Sequence, residues 1–406
     1  MHSFFANRFI RSIMLSALFL QLGIWVRNFA VLLFVSEQTG KDPVAISLIS
    51  VAEFAPIFVF SFIGGAFADR WRPKRTMVLS DLLSALSVFA VLAALIFGGW
   101  EAIFFATLVS SILSQFSQPA GMKLIKRHVP EAQLQMSLSM YQTIQAVFMI
   151  LGPMLGTLVY YRFGIDAAVA IVGVCFLLSA AVLMTLPRDA APESGMNGNL
   201  IQEMKLGLQY VFANKMFLYM GGFFLAAGMA LGLMNPLAIF MVTDHLGLKE
   251  EHLQWFTAVN GVGMILGGML VMGLSRKMTP QSMLLVGFIV NALAVAAMGT
   301  LKVPALVLIA TFVSGFMVPF IHIACGTLIM KQAEQAYVGR VNGILNPLFM
   351  GGMLLNMSVV GILKTVLPLG TLYLTAAGLF LIGAIASLPL LRFRRTETQQ
   401  PNRRAA

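Results

Sequence analysis

The chain of 406 residues is 59% apolar and only 11% charged, with 27 basic and 16 acidic side chains, a net charge of +11 and a mean hydropathy of +0.87. About a quarter of the residues of an ordinary soluble protein are charged, so this composition excludes a water-soluble globule. Long unbroken apolar runs also exclude a β-barrel, whose strands alternate in segments of about ten residues.

A spanning helix needs about 20 apolar residues. Runs between charged clusters predict twelve spans, at 10–35, 43–68, 76–98, 101–122, 134–160, 165–187, 216–243, 253–275, 281–300, 303–329, 340–363 and 368–391. The expected fold is an all-α integral membrane bundle of twelve transmembrane helices in two pseudo-symmetric six-helix halves. The first run continues past Arg27 to Val35 with no small-residue cleavage site, which argues against a signal peptide. Cys175 and Cys325 lie inside apolar runs and the five histidines are scattered, so neither disulfides nor a metal site are expected.

Spans 1 and 2 carry the sharpest signal, Arg27 and Glu53, because a charge in the membrane is costly unless paired or facing water. Counted from the shared end of the two helices at about 1.5 Å per residue, both lie roughly 12–14 Å deep. They can therefore pair. Glu53 is expected either to carry a proton, tuned by Arg27, or to form a permanent structural ion pair with it. A persistent arginine partner opposes protonation of a carboxylate, so the first role needs a pair that opens.

The loop after span 2 reads Gly65-Ala-Phe-Ala-Asp69-Arg70-Trp-Arg72-Pro-Lys74-Arg75. Small residues allow close helix approach, and Asp69 can accept from the free amides of a helix N-terminus. Span 11 opens at Gly339 and Arg340 on the same side, so these residues are expected to form a conformational gate; a basic topogenic loop is the plainer alternative. Asp81, about one turn inside span 3, is expected to pair with Arg70 or Lys74, and stands beside Glu53 as a proton-coupling candidate.

In span 5, Gly152 and Gly156 make a small-residue face, and Pro153 removes a backbone donor. Gly263 and Gly267 of span 8 offer a facing surface. The stretch 188–215 divides the chain into halves 1–187 and 216–406, the second ending in a short basic tail. Within that linker Leu200, Ile201, Met204, Leu208, Val211 and Phe212 share one helical face, predicting an amphipathic helix at the membrane interface. Joining the halves is a sufficient role for it. The halves also echo each other: Gly64-Gly65 against Gly267-Gly268, and Pro119 against Pro319. In span 10, His322 either relays protons or bonds a neighbouring helix. Asn28, Gln115, Gln118, Gln142, Gln145, Asn235, Asn260, Asn346 and Asn356 are candidates to line a central cavity, although some will simply bind helices together.

Basic residues set the orientation. With the N-terminus inside, 21 of the 27 fall on the cytoplasmic side, and only Lys41, Arg162, Lys249, Lys302 and Lys364 fall outside. That bias places both termini in the cytoplasm, and it explains the positive charge without nucleic acid.

The loop after span 2 resembles that of the major facilitator superfamily, G-x-x-x-D-R-x-x-R-K, at Gly65, Asp69, Arg70, Lys74 and Arg75, with Arg72 and Pro73 departing from it. Gly152-Pro153-Met-Leu-Gly156 looks like the centre of that family's antiporter signature, Phe148 and Thr157 replacing its outer glycines. Asp81, Asn199-Leu-Ile-Gln-Glu203-Met-Lys-Leu-Gly207 and Val338-Gly339-Arg340-Val341 are similar to the drug–proton antiporter branch that holds macrolide-efflux proteins and the enterobactin exporter. The resemblance implies proton-coupled export of amphipathic small molecules from a bacterial cell by alternating access, with no cofactor and with one chain sufficient. A dedicated exporter or flippase for a siderophore or lysolipid is the alternative within the fold, and a non-transporting receptor or scaffold the alternative outside it. No G-x-x-x-x-G-K-[ST] phosphate loop and no nucleophile–base motif is present, so neither an ATP-driven pump nor an enzyme is expected.

Overall fold

The computed structural model describes residues 8–70, 72–129, 131–187, 200–274, 277–334 and 337–391, with the backbone alone described at 61–70, 118, 119, 127, 132 and 200–204. The helices in chain order are α1 (Arg8–Gln38), α2 (Pro43–Arg70), α3 (Pro73–Ile96), α4 (Ala102–His128), α5 (Glu131–Met184), α6 (Leu200–Ala213), α7 (Lys215–Phe240), α8 (Leu253–Leu274), α9 (Pro280–Thr300), α10 (Pro304–Gln332), α11 (Val338–Val366) and α12 (Leu369–Ser387). Among the described residues, ten helical stretches are long and apolar enough to cross a membrane. One of them is α5, which holds spans 5 and 6 and reverses at Gly164 (φ 78°, ψ 179°), a conformation that needs glycine. The 27 residues of α4 complete the expected set of crossings; this helix is diluted by a stripe of Thr107, Ser110, Ser111, Ser114 and Ser117.

Local chemistry fixes the helix ends. Proline occupies the first turn of α3, α9 and α10, where its missing amide costs nothing. Asp42 accepts from the amides of Val44 and Ala45 at the start of α2, and Asn214 accepts from Met216 at the start of α7.

The chain divides into two compact units, Met1–Asn197 with Glu251–Ala258, and Gly198–Glu250 with Val259–Ala406. In the first, α1 packs on both limbs of α5, α3 on α4 and α5, and α2 on α4. In the second, α7 packs on α11 and α12, and α9 on α10 and α12. Span 1 against 5, 3 against 4 and 3 against 6 thus recur as 7 against 11, 9 against 10 and 9 against 12. The internal repeat is visible in the packing itself.

Among the described residues, the first unit buries two apolar clusters. One gathers Phe9, Ile10, Ile13, Met14, Met77, Leu124 and Ile125 near the start of α1; the other gathers Val31, Val35, Ile49, Val91 and Ile103 near its end. The middle of α1 lies between them, and there the buried polar residues collect.

The linker helix α6 does not use the whole of its predicted apolar face. Val211 is buried, whereas Leu208 and Phe212 remain exposed. Docking instead uses Gly207, which lies against Arg340 and Ile344 of α11, and Tyr210, whose ring stacks on Tyr337 with centroids 4.2 Å apart. The Glu334 amide donates to the Tyr210 hydroxyl at 3.2 Å.

Candidate functional site

Arg27 and Glu53 belong to one buried cluster, but they do not form the direct ion pair expected from their depths. Asn28 stands between them. Arg27 donates to Asn28 Oδ1 from Nε (3.1 Å) and Nη2 (2.9 Å), and Asn28 Nδ2 donates to Glu53 Oε1 at 2.6 Å. Equal depth puts the two charges at one level but does not fix which side chains lie between them, and Asn28, next to Arg27 on the same helix, intervenes. Arg27 is 7% exposed, and its Nη1 also donates to Ser110 Oγ on α4. A guanidinium buried this deeply is satisfied by neutral groups, with the carboxylate one amide away.

Asp81 is also placed differently. It does not pair with Lys74, whose ammonium donates to the carbonyl oxygens of Met184 (2.9 Å) and Leu186 at the end of α5. The Asp81 side chain is instead 2% exposed in the bundle, accepting from Ser179 Oγ at 2.6 Å, and Ser179 in turn lies 2.8 Å from Ser16 Oγ. Position nine of α3 is more than two turns deep, and the alternative partner, Arg70, has its side chain outside the described residues.

The side chains of Gly65, Asp69 and Arg70 lie outside the described residues, and so does the gate contact expected of them. Arg75 is exposed. Gly339 meets open space, and the Arg340 guanidinium lies 5.1 Å from the centre of the Tyr337 ring.

The glycine faces each find a partner in their own unit. Gly152 lies against Trp25 and Gly156 against Phe29 and the Trp25 carbonyl, so with Pro153 the antiporter-type motif backs the stretch of α1 that carries Arg27 and Asn28. Gly263 and Gly267 are covered by Phe312 and Phe316 of α10, which corrects the expectation that they face span 5.

His322 is exposed on α10 and, among the described residues, makes no hydrogen bond, so it is not a helix-binding histidine. Asn260 and Asn356 are such binders: Asn260 donates to Thr311 O at 3.2 Å and Asn356 to Met229 O at 2.8 Å. Gln142, Asn235 and Asn346 are exposed, Gln115 donates to Ser114 Oγ, and Gln145 bonds Tyr141. The serines that complete the buried network, Ser16, Ser110 and Ser179, are absent from the sequence-based candidates. The signal was available on α4, where Thr107, Ser110, Ser114 and Ser117 recur at helical spacing.

Among the described residues no group of His, Cys, Asp or Glu is arranged to hold a metal ion. The model of the Major Facilitator Superfamily matches residues 13–248 and 218–406. The chain belongs to the major facilitator superfamily. The fold and family expected from the loop and span 5 motifs are therefore met, and the protein is a multi-pass membrane transporter. Relatives include the multidrug efflux pump Tap of Mycolicibacterium fortuitum, 27% identical over 85% of this chain and 87% of Tap. Macrolide efflux protein A of Streptococcus pyogenes is 24% identical over 78% of this chain and 79% of its own. The crystal structure of the nucleoside transporter NupG superposes with a TM-score of 0.72 at 18% identity, covering 95% of this chain and 99% of that one, a likeness of fold alone.

Proposed function

We propose that this chain is a proton-coupled exporter of amphipathic small molecules, working by alternating access in the plasma membrane of a bacterium, with both termini cytoplasmic and one chain sufficient. The observation that carries the reading is the Arg27–Asn28–Glu53 cluster. A purely structural ion pair gains most from direct contact between its charges. Here the carboxylate meets a neutral amide through Oε1, so no direct ion pair has to open before it accepts a proton. Glu53 is half-buried, the more accessible end of the cluster, while Arg27 is enclosed. Glu53 is the proton carrier in this reading, and Arg27 with Asn28 positions it. The names of Tap and of macrolide efflux protein A support the direction of transport and the amphipathic class of substrate.

The test is ethidium and macrolide efflux from proteoliposomes with the internal pH followed in parallel, comparing the parent with Glu53→Gln. Substrate movement in the parent dissipates the pH gradient. The Glu53→Gln protein, still folded, loses at least tenfold of both fluxes. Normal coupling in the variant assigns Glu53 a structural role and ends the proposal for that residue.

A further inference from the structure

A small cavity lies in the middle of the first unit, enclosed by α1, α3, α4 and α5. Its polar lining is Ser80, Asp81, Ser84, Ser110, Ser114 and Ser117. About 10 Å³ is open to the centre of a water molecule, room for one water. Ser117 is 2% exposed and, among the described residues, its Oγ has no hydrogen-bond partner. A buried hydroxyl left in that state loses the bonds it would make in water, and a pocket of this size with serines in its lining has room for a solvent molecule to supply them.

Asp81 is the ionisable member of the lining. No cation neutralises it among the described residues: Lys74 is held by the carbonyls of Met184 and Leu186, and Arg27 by Asn28 and Ser110. The titratable group that senses its charge is the Tyr141 hydroxyl of α5, which does not compensate it. Ser179 supplies a single short donor. A carboxylate so far from solvent, with no cation beside it among the described residues, is costly, and a proton removes that cost.

We propose that this pocket holds one buried water and makes Asp81 a second proton-binding site, joined to the Arg27–Glu53 cluster through Ser110. Hydronium delivers the proton, leaving a neutral carboxylic acid and the pocket water; release reverses the step. On the far side the hydroxyls of Ser179 and Ser16 continue the polar thread, and Ser12 lies 3.5 Å from Thr185 nearer the start of α1. Apolar clusters lie at either end of the unit. The use of this site in transport rests on the proton-coupled reading above, but its existence does not.

Infrared difference spectra of the full chain in lipid nanodiscs, recorded while pH is stepped, read the site directly. A protonated carboxyl band is expected in the parent and in Glu53→Gln, and it is lost in Asp81→Asn. Should that variant fold poorly, Asp81→Glu is expected to move the band to a new frequency. A buried-water O–H stretch, recognised by its shift in ¹⁸O-labelled water, is expected in the parent and absent in Ser117→Val, with the helical amide bands unchanged. A carboxyl band indifferent to both Asp81 variants overturns the proposal, and so does a spectrum without the buried-water signal. Titration of Asp81 together with efflux that leaves the pH gradient intact would sink the proton-coupled reading and leave the site standing.

Discussion

The two units fold the same six-span pattern and fill their interiors in opposite ways. In the first, buried serines and threonines surround Arg27 and Asp81, held between two apolar clusters. In the second, helices meet backbone to backbone. A Cβ on Gly228 or Gly232 would strike the carbonyls of Phe349 or Met353, and one on Gly267 the carbonyl of Phe316. Among the described residues, no Asp, Glu, Lys or Arg is buried within α7–α12; Glu250 lies in the short turn before α8. Close glycine contact excludes water and leaves no room for ionisable groups. The contrast shows that one repeat can specialise in charge while its twin supplies rigid packing.

Substitutions in either unit test this difference in packing. The largest effect is expected from Arg27→Leu, which leaves Asn28 and Ser110 without their donor and Glu53 without the nearby positive charge, and costs about 4 kcal/mol of stability. Combining it with Glu53→Gln should recover part of that loss, because the stranded carboxylate is gone; thermal unfolding in detergent reads both. Equal loss in the single and double variants would show that Glu53 does not depend on Arg27. In the second unit, Gly232→Ala forces α7 from α11 and should cost about 2 kcal/mol, typical of overpacking. A melting temperature equal to the parent's would contradict the backbone contact. The smallest effect belongs to Asn356→Leu, which gives up one interhelical bond to Met229 O and should cost about 0.6 kcal/mol, a shift only a carefully matched melting series resolves.

The fold was legible because the bilayer imposes length and hydropathy on each span separately. Hydropathy does not mark the ends, which the structure sets by local chemistry at Gly164, Asp42 and Asn214. The cluster was legible in part. Charges within apolar runs announce themselves, so Arg27, Glu53 and Asp81 were found. Their partners were not, because those are set by which faces of α1, α3, α4 and α5 meet. Asn28 adjoins Arg27 in sequence, yet only tertiary packing places its amide on Glu53. Ser179 lies 98 positions from the Asp81 it serves, and a serine within an apolar helix does not reveal its partner. The linker helix was read from its apolar residues, whereas it docks by a glycine and a tyrosine that allow close, flat contact.

That docking also decides where the chain can be cut. Tyr210 and Gly207 belong, by what they touch, with Tyr337 and Arg340. Two co-expressed fragments divided before Leu200 would each keep their own contacts, the second carrying its strap already fastened. Divided after Ala213, the first fragment would trail a helix whose Gly207 and Tyr210 had lost the surface that seats them, a ready substrate for proteases.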